Sequence, residues 1–194
     1  KAEKLTESRK KVSQNIEVML QAELSDLNMA SAKFKVSFLK EEKVSKNGKD
    51  SIEFLIATNV GQDYKTLTKI ASGGEVSRIM LALKTIFSKV DNIPILIFDE
   101  IDIGVGGETV RKIAGKLKEI GKHAQVICIT HSPQIAAKAT QQFYIEKNVV
   151  ANTTVTTVRE LNQEERVREI GRMLAGENIT DTVLSHALEL LKED

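Results

Sequence analysis

An α/β fold built on a largely parallel sheet flanked by helices is what this sequence predicts, with a long helix and a β-hairpin ahead of the sheet. Three observations carry that prediction. The runs 95–99 and 126–130 are short and apolar at successive positions, the pattern of strands covered on both faces. Between them, Val110, Ile113, Leu117 and Ile120 form a helical stripe over 108–120, and strand, helix, strand implies parallel pairing. Earlier in the chain, Phe34, Val36 and Phe38 alternate with polar residues, and Ile52, Phe54 and Ile56 repeat the alternation after Lys46-Asn47-Gly48-Lys49. That reads as two strands joined by an Asn-Gly turn.

The remaining elements follow in order. Residues 1–30 contain no Gly or Pro and place Val12, Ile16, Met19, Leu20, Leu24 and Leu27 at helical spacing among charged residues. The pattern fits either a helix lying on the domain or the end of a coiled-coil arm. After Ser72-Gly73-Gly74-Glu75, the residues Val76, Ile79, Met80, Leu83, Ile86, Phe87 and Val90 form a strong helical stripe that Pro94 ends before the next strand. Pro133 can start a short helix running to 139. Segments 142–146 and 153–161 read as strands around Asn148 at a sheet edge. A helix through Val167, Ile170 and Leu174 stops at Gly176, and a last one runs from Thr180-Asp181 through Leu184, Leu188 and Leu191.

Composition bounds what the chain can be. At 194 residues it can bury a substantial core, and 41% apolar residues with a net charge of +1 exclude both disorder and a strongly cationic nucleic-acid-binding domain. No stretch is long and apolar enough to cross a bilayer and no signal-peptide pattern opens the sequence, so a cytoplasmic protein is expected. Cys128 is the single cysteine, in an apolar run, and reads as a small buried hydrophobe. The chain opens on Lys1 in what reads as the middle of a helix, so it is expected to begin inside a longer protein.

Two motifs point to chemistry. Ser72-Gly73-Gly74-Glu75 precedes a helix, where unpaired N–H groups and the helix dipole favour an anion and glycines admit close approach of phosphate oxygens. Taken alone, the same residues also make an ordinary capping box. Glu75 argues against a solitary polyphosphate site, since like charges repel. Asp99 and Glu100 stand at the carboxyl end of an apolar strand, the edge where open α/β sheets bind ligands. Carboxylate oxygen suits magnesium, held by Asp99 directly or through water, and leaves Glu100 to orient or deprotonate an attacking water. Asp102 either joins the metal shell or caps the following turn, and the turn is the favoured reading. His131 ends the second apolar strand and is expected at the same edge, either satisfied structurally or touching a phosphate. His123 and His186 form no metal-ligand spacing, and Lys1, Lys4, Arg9, Lys10 and Lys11 read as a solvated helix face or a DNA-backbone contact. No G-x-x-x-x-G-K-[ST] occurs, because Gly48-Lys49, Gly115-Lys116 and Gly121-Lys122 lack the other residues of that loop.

In order and spacing, SGGE, ILIFDE and ITH resemble the signature loop, Walker B strand and switch histidine of ABC-type ATPase heads. The longer strings IASGGEVSRIMLALK, LIFDEIDIGVGGE, ITHSPQIAAKA and REIGRMLAGENIT resemble the RecN family of double-strand-break repair proteins, relatives of the structural-maintenance-of-chromosomes (SMC) proteins, across essentially the whole chain. The resemblance implies a P-loop NTPase-like head lobe: residues 1–30 the end of a coiled-coil arm, residues 31–194 the C-terminal half of the head. It implies ATP and magnesium as cofactors. Ser72, Gly73, Gly74 and Glu75 would meet ATP held by an opposing head, Asp99 would serve magnesium, Glu100 the water and His131 the γ-phosphate. The implied partners are an N-terminal half carrying Walker A, a second copy of the head, and DNA, in a cytoplasmic, nucleoid-associated protein. Two positions depart from the pattern: Gly106 stands where the D-loop often ends in an acid, and Ile103 where a small polar residue is usual. A non-catalytic dimerisation or DNA-tethering module is the alternative, and a transporter subunit is disfavoured by Glu75 and the helical opening.

Overall fold

The computed structural model describes residues 1–70, 72–87, 90, 93–150 and 153–193, so Ala71 of the glycine-rich run lies outside the described residues. Helix α1 (Ala2–Asp26) lies along an antiparallel hairpin, β1 (Lys33–Ser45) and β2 (Gly48–Ala57), to which the two-residue strand β3 (Lys65–Thr66) adds at the edge. A single 3₁₀ turn, Leu67–Lys69, leads toward α2 (Gly73–Phe87). Strands β4 (Ile95–Asp99) and β5 (Gln125–Ile129) pair in parallel, joined through α3 (Gly107–Ile120). The short helix α4 (Pro133–Lys138), a second hairpin β6 (Phe143–Val150) and β7 (Thr153–Glu160), and helices α5 (Gln163–Ala175) and α6 (Asp181–Lys192) complete the chain.

The first hairpin forms where alternation predicts it. Phe34 pairs with Ile56, Val36 with Phe54 and Phe38 with Ile52, which puts six apolar side chains on one face, and the Phe34 and Phe54 rings approach to 5.4 Å between centroids. Ser45 pairs with Gly48, so the turn centres on Lys46-Asn47 and the left-handed φ of +101° falls on the glycine. Helix α1 turns Ile16, Leu20, Leu24 and Leu27 inward as its stripe predicts. Val12 and Met19 differ from that expectation and stay exposed, because Thr6 and Ser13 take the inward positions of the first turns. The Thr6 hydroxyl donates to Asp50 on β2, Arg9 Nη1 to the Asn47 carbonyl at 2.8 Å, and the Val36 N–H to Glu17 at 2.8 Å. Arg9, one of the predicted basic face, is thus a structural contact to the hairpin, while Lys1, Lys4, Lys10 and Lys11 are exposed.

The parallel pairing among the described residues consists of β4 and β5 alone, and the hairpins form separate antiparallel sheets. Contrary to the double-sided burial expected of the apolar runs, one face is open: Ile95 is 49% exposed, Ile97 66%, Ile127 43% and Ile129 49%. The other face carries Phe98, Leu96, Val126 and Cys128 into the main core, with Ile79, Leu83, Ile113 and Leu117 from α2 and α3. Strand β6 runs past Asn148, which pairs with Val155 instead of marking the turn. A smaller cluster of Ala136, Ala137, Ile170, Ala187 and Leu190 joins α4, α5 and α6. Asn162 and Glu165 close a reciprocal capping box on α5, and Gly176 ends it with φ +67°.

Candidate nucleotide site at the carboxyl edge of β4 and β5

Helix α2 places the glycine motif against the acid motif. Ser72 precedes the helix, its carbonyl accepting from Val76 N–H and its hydroxyl from Glu75 N–H, so the capping and anion-binding readings of this turn coexist. Gly73 is exposed, and a Cβ there would lie 2.9 Å from Glu100 Oε2. Gly74 is buried: a Cβ would meet the Glu100 carbonyl at 3.1 Å and Arg78 Nη1 at 3.3 Å. The two glycines are therefore what lets the helix end approach the acid loop so closely.

The loop after β4 is held from several sides. Asp99 and Glu100 are both exposed at the strand end, and neither points into packed hydrocarbon. Ser77 on α2 donates its hydroxyl to the Asp99 carbonyl at 2.7 Å. Glu100 adopts φ +56°, a left-handed conformation that costs a non-glycine residue about 1–3 kcal/mol and persists only where the surroundings impose it. Those surroundings include Arg78, buried on α2, whose Nη1 donates to the Ile103 carbonyl at 2.9 Å and the Ile101 carbonyl at 3.5 Å. Burial lowers the Arg78 pKa and the charge of Glu75 opposes that shift, yet the guanidinium remains a cation beneath the acid loop.

Strand β5 brings His131 to the same edge, two residues beyond Ile129, the partner of Asp99. Asp102 neither caps its own turn nor turns outward toward a metal. Its side chain is 1% exposed and Oδ2 accepts from the Thr130 hydroxyl and from His131 N–H at 3.3 Å. Ile103 contributes its carbonyl to Arg78, and Gly106 is the N-cap of α3 without a side-chain cap. Cys128 is half-buried, and its thiol pKa is pushed up to about 12 by burial first and by the charges of Asp102 and Asp99 second. His123 is exposed and His186 lies 3.4 Å from Glu189, away from this edge.

Among the described residues no group of three or more His, Cys, Asp or Glu side chains forms a metal cage. The exposed Asp99 carboxylate therefore fits a hard cation that completes its shell with water and phosphate, as magnesium does.

The model of the RecF/RecN/SMC N-terminal domain family matches residues 3–154. The chain belongs to the RecF/RecN/SMC family. As a family member it is similar to DNA repair protein RecN of Halalkalibacterium halodurans, 44% identical over 191 residues that cover 96% of this chain and 34% of that protein. It is also similar to DNA repair protein RecN of Treponema pallidum, at 43% over 194 residues, 97% and 34% of the two chains. The chain spans about a third of the length of these relatives. Among solved structures, the Smc head domain with a coiled coil and joint from Pyrococcus yayanosii superposes with a TM-score of 0.55 at 21% identity, over 85% of this chain and 29% of that one. This likeness establishes the fold as an SMC-type head architecture. No helix among the described residues is long and apolar enough to cross a membrane.

Proposed function

We propose that this chain is the C-terminal half of a RecN-like ATPase head, acting with other polypeptide segments to bind and hydrolyse ATP in the repair of broken DNA. The observation that carries the reading is the convergence, at one sheet edge, of the α2 N-terminus, the exposed Asp99 and Glu100, and the exposed His131. In this reading Ser72, Gly73, Gly74 and Glu75 meet the γ-phosphate of ATP held by an opposing head, Asp99 holds magnesium, and His131 touches the γ-phosphate. Magnesium, when bound, supplies charge neutralisation on the phosphates. Glu100 orients the attacking water and takes its proton, held in place by Ser77, Arg78 and the close α2 glycines. Walker A comes from the N-terminal half of the same protein, and two heads enclose two nucleotides. Hydrolysis separates them and opens a DNA-associated clamp in the cytoplasm.

Two surfaces support the need for those other segments. The open face of β4 and β5 offers Ile95, Ile97, Ile127 and Ile129, and strands of a parallel sheet are normally covered on both sides; the N-terminal half is the proposed cover. On α1, the exposed Leu5, Val12 and Met19 recur every seven residues, which supports residues 1–30 as the end of a coiled-coil arm and 31–194 as the head lobe.

The test is a head reassembled from this chain and the N-terminal half. Glu100→Gln is expected to slow ATP turnover by about 10²- to 10⁴-fold while leaving nucleotide binding intact. Unchanged turnover would remove Glu100 from the mechanism. A head that binds ATP and never hydrolyses it would favour a dimerisation or DNA-tethering module instead.

A further inference from the structure

We infer that Asp102 is a positioning residue for His131: its buried carboxylate fixes the end of β5 and decides which ring nitrogen of the histidine faces solvent. The inference rests on the reading of His131 as a phosphate contact and names what prepares it for that role.

One oxygen carries the arrangement. Asp102 Oδ2 accepts from Thr130 Oγ1, accepts from His131 N–H at 3.3 Å, and stands 3.4 Å from His131 Nδ1. Thr130 Oγ1 in turn accepts from Ser132 N–H at 2.9 Å, so three consecutive residues after β5 are tied to a single carboxylate. Oδ1 is buried and has no hydrogen-bond partner, which leaves Oδ2 as the only bonded end. The carboxylate is itself fixed from α2, since Arg78 bonds the carbonyls of both neighbours, Ile101 and Ile103, and Ile101 is fully buried.

An ionised carboxylate only accepts, so the ring nitrogen beside it is favoured as Nδ1–H. Nε2 then points outward on a side chain that is 76% exposed, and it is the nitrogen left to reach a phosphate oxygen. His186 supplies the contrast within the same chain. Its Nδ1 is also 3.4 Å from a carboxylate oxygen, of Glu189, but that side chain is 73% exposed where that of Asp102 is 1%. At equal distance, water competes for the exposed pair and not for the buried carboxylate. The tautomer is therefore set at His131 and mixed at His186.

Nitrogen-15 labelling of the histidines reads this directly, through long-range proton–nitrogen correlations at alkaline pH where free imidazole is neutral. In the unmodified chain, His131 is expected to be predominantly Nδ1–H, while His123 and His186 show the solution mixture that favours Nε2–H. Asp102→Asn is expected to move His131 to that mixture without changing the other two. In the reassembled head it should lower kcat by about 10- to 10²-fold with little change in KM, the range for a misplaced contact. The inference is overturned if His131 shows the solution mixture in the unmodified chain, a result that needs no variant to fold, or if Asp102→Asn leaves its tautomer unchanged. A set tautomer combined with an inert Glu100→Gln would sink the ATPase reading and leave this contact standing; a slow Glu100→Gln head with a mixed His131 would do the reverse.

Discussion

On one side of β4 and β5, Leu96, Phe98, Val126 and Cys128 pack into the main core; on the other, Ile95, Ile97, Ile127 and Ile129 remain open. Side chains of equal hydrophobicity, alternating along the same two strands, meet opposite surroundings. The difference separates what stabilises this chain from what it holds ready for another segment. Helices α2 and α3 supply the cover on the first side, and in the proposed head the N-terminal half supplies it on the second.

The largest expected effect tests the closed side. Phe98→Ala should cost about 3–5 kcal/mol in urea unfolding of the chain, whereas Ile97→Ala should cost under about 0.5 kcal/mol. Equal losses would erase the distinction between the faces. Next, Gly74→Ala should cost about 1–3 kcal/mol, because the added methyl meets the Glu100 carbonyl and Arg78; a neutral outcome would show that the α2 end is not pressed against the acid loop. Thiol labelling compares the faces without unfolding. Cys128, held protonated with its pKa near about 12, should react slowly with a maleimide at pH 8, while Ile127→Cys on the open face should react fast and become protected when the N-terminal half is added. The smallest effect lies at the rim, where α1 meets α3. The Lys116 and then the Lys112 hydrogen bonds hold the Asp26 carboxyl below its usual value. Its contribution is therefore present above the unfolded carboxylate pKa and lost as pH falls through the folded one. Lys116→Met should flatten the acid limb of the stability profile only slightly, since Asp26 is half exposed.

Much of this was legible in residue order. The stripes of α2 and α3 and the register of β1 with β2 follow from periodicity, and the acids at the end of β4 follow from an apolar run stopping at two carboxylates. What escaped has physical reasons. Strand β3 is two residues long, too short to show alternation. Thr6 and Ser13 are buried because hydroxyls can bond a helix carbonyl or a facing carboxylate, which no apolar stripe reveals. Arg78 lies inside a motif-bearing segment, yet nothing in its spacing signals a guanidinium bonded to carbonyls 23 and 25 positions away. Asp102 likewise acts across strands, on Thr130 and His131, where sequence adjacency suggested a turn. The positive φ of Glu100 has no signature at all in a non-glycine residue.

The account depends on this chain holding one part of a site that other segments complete. Steady-state ATP hydrolysis, measured for the chain alone and again with the N-terminal half bearing Walker A, addresses that dependence most directly. Negligible turnover alone and restored turnover in the mixture is the predicted result, with restoration abolished by Glu100→Gln. Equal turnover with and without the added half, or none in a mixture shown to have assembled, would contradict it.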